Sequence, residues 1–76
     1  MREKTEKLRR FLQTGDYPKI ASMAGVSLQT LRNALQRESP EQLRHSERIA
    51  YNQFLSYVED KKAELKDIED RLNALD

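Results

Sequence analysis

An all-α fold, with a three-helix head followed by one long C-terminal helix that forms a coiled-coil-like dimer interface, is predicted by three observations. Apolar residues recur at helical spacing through most of the 76-residue chain, although only 37% of residues are hydrophobic and 36% are charged. The two glycines and two prolines fall at or beside the boundaries of these periodic segments. Beyond Pro40 neither residue type interrupts the chain. The abundant charge is therefore assigned to solvated helix faces and not to disorder.

The spacing predicts a first helix over Glu3 to Thr14, with Leu8, Phe11 and Leu12 as its apolar stripe and Lys4, Lys7, Arg9 and Arg10 on the remaining surface. Gly15 stands where a residue just past a helix end belongs. Pro18 suits the first turn of a second helix, since its missing amide needs no partner there, and Asp16 or Tyr17 would cap it. That helix ends at Gly25. A third runs from Leu28 to about Arg37 and buries Leu31 and Leu35. Ser39, Pro40 and Gln42 give a start signal for the last helix, as N-cap, N1 proline and the N3 member of a capping box. One helix of about 36 residues, roughly 54 Å long, is expected from Pro40 to Leu75. Its early residues Leu43, Glu47, Ile49 and Ala50 would lean on the head. The expected division is a head of residues 1–38 and a dimerisation helix of residues 39–76.

The run from Ile20 to Leu31 has the parts of a helix-turn-helix. Ala21 is small enough to let a second helix cross closely, and Gly25 can take positive φ without steric cost. Val26 can plug the angle between the helices, and Ser27 can cap the second. Helices joined in this way cross at roughly 90–120°. The segment Ala24-Gly25-Val26-Ser27-x-Gln29-Thr30, preceded by Ile20-Ala21, resembles the helix-turn-helix of the lac repressor family and, more loosely, those of other bacterial and phage repressors. The resemblance covers residues 18–36 and implies DNA binding. Members of that family carry the motif at their extreme amino terminus, ahead of a sugar-binding domain. Here a charged helix precedes it and a long helix follows, so effector sensing is not carried over.

A recognition helix enters the major groove with its amino-terminal residues nearest the bases. Leu28, Gln29, Arg32 and Asn33 lie on the side of the third helix opposite Leu31 and Leu35 and are the expected base readers. Gln29 and Asn33 can each present an amide to adenine, Arg32 can reach guanine or phosphate, and Leu28 can touch a thymine methyl. Leu28 has an alternative role in covering the seam between the first and third helices. The phosphate contacts are expected from Lys19, Ser27, Thr30 and Arg37, and from Arg9 or Arg10. Tyr17 would stack on the core, with its hydroxyl open to a phosphate. By the resemblance, Leu28, Gln29 and Asn33 occupy recognition positions that carry tyrosine, glutamine and arginine in the family. Only the glutamine is retained, so operator preference is not carried over.

From Tyr51 the apolar positions alternate by three and four: Tyr51, Phe54, Val58, Lys61, Leu65, Ile68, Leu72 and Leu75. Only Lys61 departs from a heptad, and Phe54, Val58, Leu65, Ile68, Leu72 and Leu75 are the expected dimer interface. Parallel pairing would oppose Glu64 to Glu69 and Arg71 to Asp76. An antiparallel pair centred between residues 66 and 67 would oppose Glu64 to Arg71 and Lys62 to Glu69, each twice, and satisfies more charges.

Charge distribution agrees with a DNA-binding head. Residues 1–44 carry nine Lys or Arg against five acids, whereas residues 45–76 carry five against eight. The basic half contains the motif. With no cysteine and one histidine, His45, disulfide scaffolds, thiolate chemistry and a protein-only metal site are not expected, and neither are an enzymatic activity, a cofactor or a small-molecule effector. No segment has the roughly 18 apolar residues that cross a bilayer, and no signal-peptide core leads the chain, so a cytoplasmic location without membrane contact is expected. The sequence thus predicts a sequence-specific, homodimeric protein on double-stranded DNA, a small transcriptional repressor of bacterial, phage or plasmid type. A protein-interaction adaptor and an architectural or segregation factor are the alternatives. Salt separates them, since binding through about six phosphates gives a log-log slope near −5.

Overall fold

The computed structural model describes residues 1–75. Its elements are α1 (Arg2–Arg9), α2 (Asp16–Ala24), α3 (Leu28–Leu35), a 3-10 turn at Pro40–Gln42 and α4 (His45–Ala74), so the fold is all-α. Against the first half of α4 pack α2 and α3, and the molecule measures 48 × 24 × 17 Å because the second half of α4 extends past them. Among the described residues no helix is long and apolar enough to cross a membrane.

The first helix is shorter than its sequence pattern suggests. Past Arg9 the backbone tightens through bonds from Phe11 N–H to the Leu8 carbonyl and from Leu12 N–H to the Arg9 carbonyl. Asp16 then closes the next turn, accepting the Gln13 N–H at 2.8 Å while its own N–H donates to the Gln13 carbonyl. These bonds use residues 10–15 to reverse the chain, so they cannot extend α1. Phe11 is left 37% exposed, and only Leu8 and Leu12 of the expected stripe pack on the core. Gly15 has φ −70°, an ordinary helical value, and is not a left-handed helix end.

At Gly25 the expectation holds. Its φ of 71° lets the Val26 N–H reach the Ala21 carbonyl and its own N–H reach that of Ser22, the paired bonds of a Schellman end. Val26 packs against the core, and the Ser27 hydroxyl accepts the Thr30 N–H at 3.1 Å as the cap of α3.

The last helix begins later than Pro40. Gln42 accepts the N–H of Glu38, not that of Ser39, and Leu43 turns extended to bury its side chain. Glu47 supplies the N3 carboxylate instead, accepting the Arg44 N–H at 3.0 Å, and α4 runs for 30 residues from His45. They span about 45 Å.

The core comprises Ile20 and Ala21 of α2, Leu31, Ala34 and Leu35 of α3, and Leu43, Ala50, Tyr51, Phe54 and Val58 from the C-terminal half of the chain. The head is thus completed by α4, and a boundary at residue 38 would cut through its core. Phe54 and Val58, expected in a dimer seam, are 0% and 1% exposed within the single chain, held by α2 and α3. Ile49, expected to lean on the head, is 44% exposed.

Every buried side-chain polar atom among the described residues has a partner. The Thr5 hydroxyl, fully buried, lies 2.9 Å from the Met1 carbonyl and 2.6 Å from the Tyr51 hydroxyl. A carbonyl can only accept, so Thr5 donates to Met1 and Tyr51 donates to Thr5. This pair ties α1 to α4. Thr5→Val keeps the volume but strands the Tyr51 hydroxyl, and a loss of about 1–3 kcal/mol is expected in urea unfolding. Adding Tyr51→Phe to Thr5→Val should recover part of that loss, because both ends of the bond are then apolar.

Candidate nucleic-acid interface

The surface of α3 is built by its cap and its periodicity. Leu31, Ala34 and Leu35 face inward, which turns Gln29, Arg32, Asn33 and Gln36 to solvent. Gln29 Nε2 donates to Asn33 Oδ1 at 2.9 Å, one turn along the helix. The pair still has the Gln29 carbonyl as an acceptor and the Asn33 amino group as a donor. At the amino end of α3, the Ser27 and Thr30 hydroxyls lie 2.9 Å apart.

Beside this face runs a groove lined by Arg9, Tyr17, Pro18, Leu28, Arg32 and Gln36. Arg9 crosses from α1 to reach it. Its Nε donates to the Tyr17 hydroxyl at 3.0 Å, its guanidinium stands 5.2 Å from the centre of that ring, and a second nitrogen meets Glu6 at 3.3 Å. The bond to Tyr17, with smaller help from Glu6, raises the Arg9 pKa, so the group keeps its charge. Leu28 is half-buried against the core and lines the groove, which favours its seam-covering role over base contact.

Not every expected residue joins this surface. Arg37 turns away and is held by Glu47, with Nε to Oε1 at 3.0 Å and a terminal nitrogen to Oε2 at 2.9 Å. This two-pronged pair fixes the loop after α3 onto the start of α4, so the expected phosphate contact from Arg37 is corrected to an internal ion pair. It holds the Glu47 carboxyl below its ordinary range, helped by the Arg44 N–H. Lys19 lies about a quarter turn or more around α2 from Tyr17 and Pro18, where its charge acts on Asp16. Arg10 is exposed at the end of α1. The structure therefore brings together Arg9, Arg32, Gln29 and Asn33, with Ser27 and Thr30 at one end, keeps Lys19 and Arg10 exposed on the neighbouring helices α2 and α1, and withdraws Arg37.

Comparison with protein families, with curated proteins and with solved structures finds no match. Among the described residues no group of three or more His, Asp or Glu side chains is placed to hold a metal ion. Gln36 and Pro18, absent from the sequence-derived set, line the groove. Gln36 was detectable, since it follows Arg32 by four residues on the same helix face.

On α4, Leu65, Ile68 and Leu72 are 48%, 53% and 60% exposed, and Leu75, which caps the helix, is 85% exposed. They continue the side of the helix that carries the buried Phe54 and Val58. Lys61, the one charged residue of this stripe, is half-buried, with its Nζ 4.0 Å from Asp16 and 5.7 Å from the centre of the Tyr57 ring.

Proposed function

We propose that this protein binds double-stranded DNA in a sequence-dependent manner as a homodimer joined through α4, serving as a small transcriptional repressor of bacterial, phage or plasmid type. The observation that carries the proposal is the Gln29–Asn33 amide pair on the exposed face of a short, capped helix that follows a Schellman turn. Adenine presents an N6 amino donor and an N7 acceptor side by side in the major groove. The Gln29 carbonyl and the Asn33 amino group supply the matching acceptor and donor. Arg9, Arg10, Lys19 and Arg32 are the cations that would face phosphate, with Arg32 also long enough to reach a base.

Removing Arg37 from the phosphate set lowers the expected salt dependence to about four phosphates per head. Fluorescence anisotropy of a labelled duplex at about 50 and 200 mM salt should give a log-log slope near −4 for one head and about twice that for a dimer on two half-sites. Salt-independent binding, or none at the lower salt, would reject the DNA reading in favour of a protein partner. Asn33→Ala should weaken binding to a selected site by about 1–3 kcal/mol and leave binding to unrelated duplex nearly unchanged. Equal losses on both duplexes would show that Asn33 reads no base.

A further inference from the structure

The geometry points to a second copy of this chain as the occupant of the bare stripe on α4, bound antiparallel, with the two heads at opposite ends of a short helix pair. The inference rests on the homodimer proposed above but not on DNA binding.

Three observations carry it. The first is the side of α4 that the head uses. Phe54 and Val58 are buried by the chain's own α2 and α3, while Leu65, Ile68 and Leu72 continue the same side without cover. In a parallel pair, each helix would run along the other's stripe, and both heads would occupy the gap between the helices at the same level. Paired helices stand about 8–10 Å apart, which leaves no room for two heads. In an antiparallel pair centred between residues 66 and 67 the tip of each tail, at Leu75, comes level with the partner's Val58, so each head sits at the end of the other tail and not between two helices at one level.

The second observation is Lys61. In an isolated heptad its charge would oppose pairing. Here its ammonium is drawn off the stripe to Asp16 and the Tyr57 ring, leaving the methylene stem to face a partner. The aliphatic stem is a suitable seat for the partner's Leu72.

The third is charge register. Residues 62–75 are all exposed and give about 20 Å of free helix. Centring the pair between residues 66 and 67 opposes Leu65 to the partner's Ile68, Glu64 to the partner's Arg71 and Lys62 to the partner's Glu69, each twice. Moving the centre outward to residue 70, a slide of one heptad, keeps the apolar stripes in step, Leu72 meeting the partner's Ile68 and Leu65 the partner's Leu75, but brings Arg71 against the partner's Arg71 and Glu69 against the partner's Glu69 and leaves Glu64 and Lys62 without a partner among the described residues. Sliding it inward by a heptad sets Ile68 and Leu72 against the partner's Val58 and the partner's Phe54, which are covered. In the single chain Arg71 pairs with Asp67 at 3.2 Å, with both side chains mostly exposed, so it can exchange that partner for Glu64.

The interface is small, near the lower end of specific association, so dimerisation is expected in the micromolar range. Sedimentation equilibrium of Glu64→Lys tests orientation by the sign of its effect. Antiparallel pairing in this register predicts a dimer about fivefold weaker, restored by adding Arg71→Glu, with both effects shrinking at high salt. In a parallel pair the introduced lysine would meet the partner's Glu69 and tighten the dimer, which would overturn the orientation. An unchanged dimer would overturn the register. A monomer at every concentration up to the millimolar range would overturn the dimer itself, and DNA binding by a single head would remain measurable in the anisotropy experiment. Because position 64 is exposed beyond the head, circular dichroism should show equal folding in all variants.

Discussion

Phe54→Ala is expected to destabilise the isolated chain by about 3–5 kcal/mol, the largest loss expected from truncating any one side chain of the core. Phe54 is fully buried, its ring tilts against Tyr51 with centroids 5.5 Å apart, and the core around it is drawn from α2, α3 and α4. Removing the ring leaves a cavity bounded by helices that cannot close over it without losing other contacts. A domain of this size has roughly 5–15 kcal/mol of stability in total, so thermal unfolding should fall by about 15–30 °C, and Phe54→Leu should give a foldable intermediate case. Concentration dependence decides the role of the residue. A core residue predicts the same loss in kcal/mol at every protein concentration, whereas a residue in a dimer seam predicts a loss that grows where the wild type is dimeric. Ile68→Lys is the contrasting variant: it should leave monomer unfolding unchanged and shift mass toward monomer.

That contrast marks what a sequence can and cannot disclose. The turn at Gly25, Val26 and Ser27 was legible because each residue type has one physical reason to stand there: left-handed φ, an apolar plug and an amide cap. The 3,4 alternation from Tyr51 was equally plain, yet the period says only that one side of α4 is covered. It does not distinguish the chain's own head, which covers Phe54 and Val58, from a partner. Pro40 did open a helical turn, but three residues later burial of Leu43 outweighed the start signal. In the candidate site, Gln29, Asn33 and Arg32 followed from helical spacing alone. Arg37 did not, because its fate depends on Glu47, ten residues away across a loop, where no local pattern announces the pairing.

The same pair yields the second large prediction, and its sign follows from which partner is buried. The Glu47 side chain is 5% exposed and that of Arg37 is 34% exposed. Arg37→Ala strands the buried carboxylate with only the Arg44 N–H left to it as a hydrogen-bond donor, a cost to the Glu47 group of about 2–3 kcal/mol. Glu47→Gln removes the charge that must be compensated and keeps an acceptor for the Arg44 N–H, while Arg37 can turn to solvent, so it should cost less. Acid separates the two further. Arg37, then the Arg44 N–H, hold the Glu47 pKa below its ordinary 4.5; the Gln13 N–H, then the Tyr57 hydroxyl, hold that of Asp16 below its ordinary 3.8. On acidification the unfolded chain therefore takes up these protons first. The stabilisation is complete above the ordinary values and is lost as pH falls through the lowered ones. Urea unfolding of the wild type should be steeply pH-dependent below about pH 4.5, with Glu47→Gln removing part of that dependence and Asp16→Asn another part. A wild-type stability that stays flat from about pH 5 down to about pH 3 would mean that neither carboxylate is held as its geometry requires.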